Sequence, residues 1–260
     1  MEWDRIDTAR GTSCRVLRGG KGHPVVYFHG FGGLRESEPM LEQLALHYDV
    51  LAPELPGFGQ STGEELLEDM LDFTLHGWDI VDELGIDHPH LVAHSMGGMI
   101  AAEMASVCPE RPRKLVLLAP LGLWIDEAPI PDIFATLPHQ LPALLFHDPV
   151  AGAAALTGGL DFNDDTALVE FFVGNARRLG TAGKIMFPIP NRRLSKRLHR
   201  LRAETLLLWG DDDRLVPPLY GDRWLELVPH AAIATIADAG HLAADEHPDA
   251  VAEAITRFLG

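Results

Sequence analysis

The sequence has no lysine or arginine between Glu36 and Glu110, a stretch that holds sixteen acidic residues, and over its 260 residues 38 acids outnumber 21 bases for a net charge of −17. That shortage of positive charge argues against general binding to nucleic acid or to an anionic membrane, since either needs clustered cations. Cysteine is scarce too. Cys14 and Cys108 stand far apart and outside any CxxC pair, which excludes a disulfide framework, and both read as small buried side chains. No run approaches the roughly 18 uninterrupted apolar residues of a spanning helix. The opening MEWDRIDTAR carries charges of both signs and no apolar stretch, so neither a signal peptide nor a membrane anchor is expected and cytoplasm is the expected compartment. Repeats, low-complexity tracts and flexible Gly/Ser linkers are missing as well. What is present is an ordinary folded composition, 47% hydrophobic and 23% charged, in a chain long enough for one or two domains with a sizeable core.

Short runs of aliphatic and β-branched residues at 24–28, 49–52, 90–93, 114–119, 205–209 and 233–236 read as buried strands, because each is brief and ends near Gly, Pro or Asp. Their unbroken apolar character implies a sheet covered on both faces, hence largely parallel. Helical patterns occupy 64–84, with Leu67, Leu71, Leu75 and Trp78 as the apolar stripe, then 97–107, and 249–259 behind Pro248, whose missing N–H a first helical turn tolerates. Strands alternating with helices make this an α/β protein with a doubly wound, mostly parallel sheet. The alternation breaks between Pro120 and Arg202, where Pro129, Pro131, Pro138, Pro142 and Pro149 chop any helix into pieces. Residues 121–202 are therefore expected to form a helical cap, inserted into a core made of 1–120 and 203–260 and lying where ligands enter.

The sharpest local signal is His90-Leu91-Val92-Ala93-His94-Ser95-Met96-Gly97-Gly98, which runs straight into the helical Met99-Ile100-Ala101-Ala102-Glu103. A strand, a tight turn with serine at its apex and an immediate helix make a nucleophile elbow, and the small residues around Ser95 let the helix pack closely on the strand. Ala93 replaces the first glycine of GxSxG, the smallest departure available. A serine hydroxyl needs a base that is itself oriented by an acid. In this context the acid and then the histidine should follow later in the chain, at strand ends. Asp211-Asp212-Asp213 follows the run at 205–209, and Gly240-His241 follows the one at 233–236. The residues alone leave the choice among the three aspartates open. A metal reading of that triplet lacks spaced carboxylate or histidine partners, and His88, His90 and His94 lie along a strand rather than on one helix face, so no metal is expected.

With His29-Gly30-Phe31-Gly32-Gly33 and Pro56-Gly57-Phe58-Gly59-Gln60-Ser61 added, the chain resembles the α/β-hydrolase family over nearly its whole length. The resemblance implies a serine hydrolase of α/β-hydrolase fold that uses no cofactor. It selects Asp213, third after the glycine, as the acid partner of Ser95 and His241, and it assigns the oxyanion hole to the backbone N–H groups of Phe31 and Met96. The segment holding Phe31 is no dinucleotide fingerprint, because its third glycine is wrongly spaced, and there is no Walker sequence.

The expected partner is a small-molecule substrate with an apolar portion; the sequence assigns no oligomeric state. Gly30, Gly32, His94, Phe134, Leu145 and Leu242 are expected to contact it, with Leu137, Leu141, Leu144, Phe146, Phe171 and Phe172 as further apolar residues of the cap. Ester hydrolysis is the activity expected first. Relatives with a very similar Ser-Met-Gly-Gly elbow cleave carbon–carbon bonds in ring-cleavage products, commonly with a Trp after the catalytic histidine and a cap arginine for the substrate carboxylate. Leu242 departs from that pattern, while Arg177, Arg178, Arg192 or Arg193 could supply the arginine. A non-catalytic ligand receptor on the same fold is the third reading, opposed by the complete triad. Ser95 in the elbow disfavours the relatives with an aspartate nucleophile, and Tyr27, Tyr48 and Tyr220 all lie outside the cap, unlike the tyrosines of epoxide hydrolases.

Charge is also unevenly placed. Residues 171–203 hold nine Lys or Arg and no acid. Within them, 192–202 has Leu194, Leu198 and Leu201 at helical spacing and reads as a solvated amphipathic helix. The cations of this stretch either face the acids of the first half and seat the cap, or attract an anionic substrate. His139, His147 and His199 read as ordinary surface or hydrogen-bonded histidines.

Overall fold

The computed structural model describes residues 1–157, 163–190 and 193–260. The chain forms β1 (Glu2–Asp7), β2 (Ser13–Gly20), β3 (Pro24–Phe28), α1 (Pro39–Leu44), β4 (Asp49–Pro53), α2 (Met70–Glu83), β5 (His90–His94), α3 (Ser95–Val107) and β6 (Lys114–Leu118). After α4 (Leu141–Leu145), α5 (Pro149–Thr157) and α6 (Asp165–Met186) come β7 (Glu204–Gly210), α7 (Leu219–Leu227), β8 (Ala232–Ile236), α8 (Ala243–Glu246) and α9 (Pro248–Leu259). The strands make one sheet in the order β1-β2-β4-β3-β5-β6-β7-β8. β1 and β2 run antiparallel to their neighbours and the other pairs are parallel. This is the doubly wound, mostly parallel architecture the alternation implies.

Successive residues of the central strands feed two separate cores. Val26, Phe28, Leu91, Ala93, Leu115 and Leu117 pack on the side of α2 and α3, whereas Val25, Tyr27, Val92, Val116 and Leu118 pack with α1 and α9. Covering both faces is why these strands read as continuous apolar runs. β1 and β2 escape that signature because charged residues interrupt them: Asp4 and Arg5 in β1, and Arg15 and Arg18 beside the buried Cys14, Val16 and Leu17 in β2. β8, expected to be buried, is instead the exposed edge, with Ile233 40% accessible.

The pattern at 64–84 is not one helix. Glu64–Leu66 is a single 3-10 turn, Leu67 is extended, and the Asp69 carboxylate caps α2 by accepting from Leu71 N–H and Asp72 N–H. Starting the helix there exposes Leu71 and Leu75 and buries Phe73, His76, Gly77, Trp78, Ile80 and Val81. Gly77 lies against α3 so closely that a Cβ would stand 2.4 Å from Met104 Sδ.

Residues between β6 and β7 carry α4, α5 and α6, an insertion in the place expected for the cap. The expected amphipathic helix at 192–202 is absent from the described residues of that range, and Arg192 lies outside them. Two 3-10 turns, Leu194–Lys196 and Leu198–Arg200, stand there, with Leu194, Leu198 and Leu201 buried. The acid-free stretch docks against the cation-free one. Arg177 binds Glu64 at 2.8 Å, Lys184 Nζ donates to the carbonyls of Glu64 and Leu67, Arg197 Nε meets Glu103 at 2.6 Å, Arg200 Nε reaches Ser106 O at 2.7 Å, and Arg202 pairs with Glu110 at 3.0 Å. Among the described residues no helix is long and apolar enough to cross a membrane.

Candidate active site

Ser95 sits where β5 turns into α3 with φ +54°, a left-handed conformation that L side chains avoid and that the packing around it must hold. The glycines that follow are required by proximity. A Cβ on Gly97 would lie 2.3 Å from Phe28 O, and one on Gly98 would lie 2.9 Å from Pro120 Cβ. Ser95 Oγ is 2.8 Å from His241 Nε2, and His241 Nδ1 is 2.8 Å from Asp213 Oδ2. Because a carboxylate only accepts, Nδ1 carries the proton and Nε2 offers its lone pair to the serine hydroxyl.

The second Asp213 oxygen, Oδ1, accepts Leu215 N–H at 2.9 Å and Val216 N–H at 2.8 Å. Asp211 instead accepts from Ala239 N–H, and Asp212 pairs with Arg214 and with His147 at 3.0 Å. Of the three aspartates, Asp213 is therefore the one in contact with the histidine. All three members of the constellation are 3% exposed, which strengthens the electrostatic interactions among them.

The loop after β3 runs beside the serine: a Cβ on Gly30 would be 3.3 Å from Ser95 Cβ and 2.7 Å from His94 Nδ1. Phe31 follows on that loop, and Met96 lies in the first turn of α3, where amides have no intrahelical acceptor. His29 fixes the loop from beneath, accepting Leu55 N–H at Nε2 and donating from Nδ1 to Gly30 O, and burial lowers its pKa to about 4. His94 donates from Nε2 to His241 O at 2.9 Å. Burial, then the neighbouring His241, lower its pKa to about 3, so it stands neutral in the wall of the site.

A mostly apolar cavity of about 130 Å³ opens onto Ser95 and His241. Of the expected contacts, Gly32, His94, Leu145 and Leu242 line it, together with Phe31 of the expected oxyanion hole. Gly30 and Phe134 do not, a correction to the expectation: Gly30 is covered by His94, and Phe134 stands behind the wall, edge-on to Phe31 and against Phe187. Leu141 also lines it, whereas Leu137 and Phe172 face outward. Sequence reasoning missed Met99, Leu121, Leu123, Ile130, Ile133, Met186 and Leu215. Met99 was within reach, four residues after Ser95 and thus on the same helix face.

The cavity also holds a cation. Arg178 Nη1 donates to Gly32 O at 3.2 Å, Nη2 donates to Asn175 Oδ1, and the guanidinium lies 5.2 Å from the Phe31 ring centre. Its Nε is buried without an acceptor, no carboxylate among the described residues pairs with it, and burial pulls its pKa down. Arg177, one residue earlier, faces the other way into the Glu64 pair. Among the described residues no group of three or more His, Cys, Asp or Glu is arranged to hold a metal ion.

The model of the alpha/beta hydrolase family matches residues 25–254. A 2-hydroxy-6-oxo-6-phenylhexa-2,4-dienoate hydrolase of Burkholderia cepacia is 29% identical over 264 residues, covering 92% of this chain and 88% of its own. A 2-hydroxy-6-oxo-6-(2'-aminophenyl)hexa-2,4-dienoic acid hydrolase of Metapseudomonas resinovorans is 26% identical over 268 residues, covering 98% and 90%. The solved structure of naproxen esterase from Bacillus subtilis shares the fold with a TM-score of 0.71 at 22% identity, over 100% of this chain and 91% of that one.

Proposed function

The chain belongs to the alpha/beta hydrolase family and is a hydrolase, and from that premise we propose that it cleaves a carboxylic ester with an apolar acyl part through a covalent acyl-enzyme. The observation that carries this reading is the continuous hydrogen-bonded chain from Ser95 Oγ through His241 to Asp213, opening onto an apolar cavity. Ser95 Oγ attacks the carbonyl carbon while its proton passes to His241 Nε2, and Asp213 steadies the imidazolium so formed. The amides of Phe31 and Met96 receive the developing oxyanion, an interaction whose loss typically costs about 10²–10³ in rate. His241 then protonates the departing alcohol, and water repeats the sequence on the acyl-enzyme to release the acid.

A second reading, hydrolysis of a carbon–carbon bond in a ring-cleavage diketo acid, is favoured by Arg178 in the cavity and by the names of the Burkholderia and Metapseudomonas relatives. Leu242 in place of the expected Trp counts against it. The two are separated by comparing p-nitrophenyl esters of increasing acyl length with a vinylogous diketo acid. Turnover of the esters is expected, with a loss of at least about 10³-fold in Ser95→Ala. Turnover of the diketo acid alone reverses the order of the readings, and full activity in Ser95→Ala removes the triad assignment.

A further inference from the structure

The loop that carries His241 is held by groups that the hydrolytic steps do not use. Gly240 N–H donates to Glu246 Oε2 at 2.7 Å, and the other oxygen of that carboxylate accepts the amides of His147 at 2.8 Å and Asp148 at 3.3 Å. One side chain thus joins the residue preceding the histidine to the turn between α4 and α5, in the insertion. Two further bonds fix the same stretch: Leu242 N–H donates to Leu145 O at 3.0 Å, and His241 O accepts from His94. The approach is close. A Cβ on Gly240 would lie 2.7 Å from both His147 N and Leu145 O, so the backbone of the insertion rests directly on the histidine loop. Three amide donors converge on the one carboxylate, a stronger arrangement than amide–carbonyl pairs would give.

We propose that Glu246 is a positioning residue: its carboxylate locks the His241 loop to the insertion, so that the seating of α4 and the following turn over substrate sets the position of the general base. The inference rests on His241 being that base. Leu141 and Leu145 of the same α4 line the cavity, so whatever fills the cavity presses on the element to which Glu246 is tied. Bracing by a single loop would need no partner across two elements. A displacement of about 1 Å at a reacting group can cost about 10² in rate, so the brace matters to chemistry before it matters to folding.

The test compares wild type, Glu246→Ala, Glu246→Gln and Ser95→Ala on whichever of the two substrate classes the wild type turns over. Active sites are titrated to completion with a fluorophosphonate so that kcat is expressed per reactive serine, and Tm is recorded alongside. Glu246→Ala is expected to lower kcat per site by about 10–100-fold while KM moves by less than about threefold, with Glu246→Gln, which keeps one acceptor oxygen, between it and wild type. A carboxylate that only stabilises the fold would lower Tm and the titratable fraction and leave kcat per site within about twofold, and that result overturns the inference. Should the alanine variant fail to fold, the glutamine variant decides by the same twofold limit. Full activity in Ser95→Ala would instead overturn the triad, so the two readings fail separately.

Discussion

Arg177 and Arg178 are adjacent in sequence and opposite in use, since consecutive residues of α6 point roughly 100° apart. Arg177 seats the insertion on Glu64, whereas Arg178 enters the cavity with its Nε unpaired. An incoming carboxylate would give that nitrogen the acceptor it lacks, and a hydrogen bond to a charged group is worth about 1.5–3 kcal/mol, or about 10–100-fold. Arg178→Gln is therefore expected to raise KM for anionic substrates by about that factor and to leave neutral esters within about twofold. Steady-state kinetics on matched charged and neutral substrates checks this, and equal losses on both would show that the arginine only fills space. Which of the two arginines enters the site depends on the phase of α6, which nothing in the local sequence fixes. Ser95 and His241 were legible because an elbow and a chain order define them. Asp213 was legible only through the family pattern, because what separates it from Asp212 is the turn that aims it at Leu215 N–H and Val216 N–H.

Strands covered on both faces and helices with one clear apolar stripe could be read to within a residue or two, as the match of 24–28 with β3 and of 249–259 with α9 illustrates. Elements governed by side-chain pairing could not. The stretch at 192–202 has helical leucine spacing, yet Arg197 and Arg200 are drawn to Glu103 and to the Ser106 carbonyl on α3, and the chain follows in 3-10 turns. α2 misled in the same way, because the Asp69 cap resets its phase away from the Leu67, Leu71 and Leu75 stripe. Arg197→Ala would leave the Glu103 carboxylate, whose side chain is only 6% exposed, without its partner. We expect a loss of about 2–3 kcal/mol, below the full range for a buried pair because the arginine itself is partly solvated. Urea denaturation measures it. A change under about 0.5 kcal/mol would mean that the Arg197–Glu103 pair does not seat this part of the insertion.

For the whole molecule, the excess of acid masks a different electrostatic feature, a set of neutral histidines locked inside. Burial lowers the pKa of His29 to about 4, that of His76 to about 4 and that of His94 to about 3, and each is tied by a hydrogen bond: His29 to Gly30 O, His76 Nε2 to Thr12 Oγ1 at 2.7 Å, and His94 to His241 O. In the unfolded chain these groups take up protons from about pH 6.5 downward, whereas the folded chain resists until about pH 4. Stability is therefore complete above about pH 6.5 and is lost as the pH falls. With His90, whose pKa burial also lowers to about 4, four extra protons on unfolding give a slope approaching about 5 kcal/mol per pH unit near pH 5. Glu54 and Asp245, whose carboxyls burial pushes up, act in the opposite sense nearer the carboxylate range and temper the slope there. Urea denaturation across pH 5–7 should show this fall, and a flat profile would refute it. His76, on α2 and bonded to Thr12 rather than to any group of the site, isolates the effect from catalysis. His76→Gln keeps a hydrogen-bonding side chain but cannot titrate, so it should remove about one proton, or about 1.4 kcal/mol per pH unit, from the slope. An unaltered slope in that variant would show that His76 takes no part in the acid sensitivity.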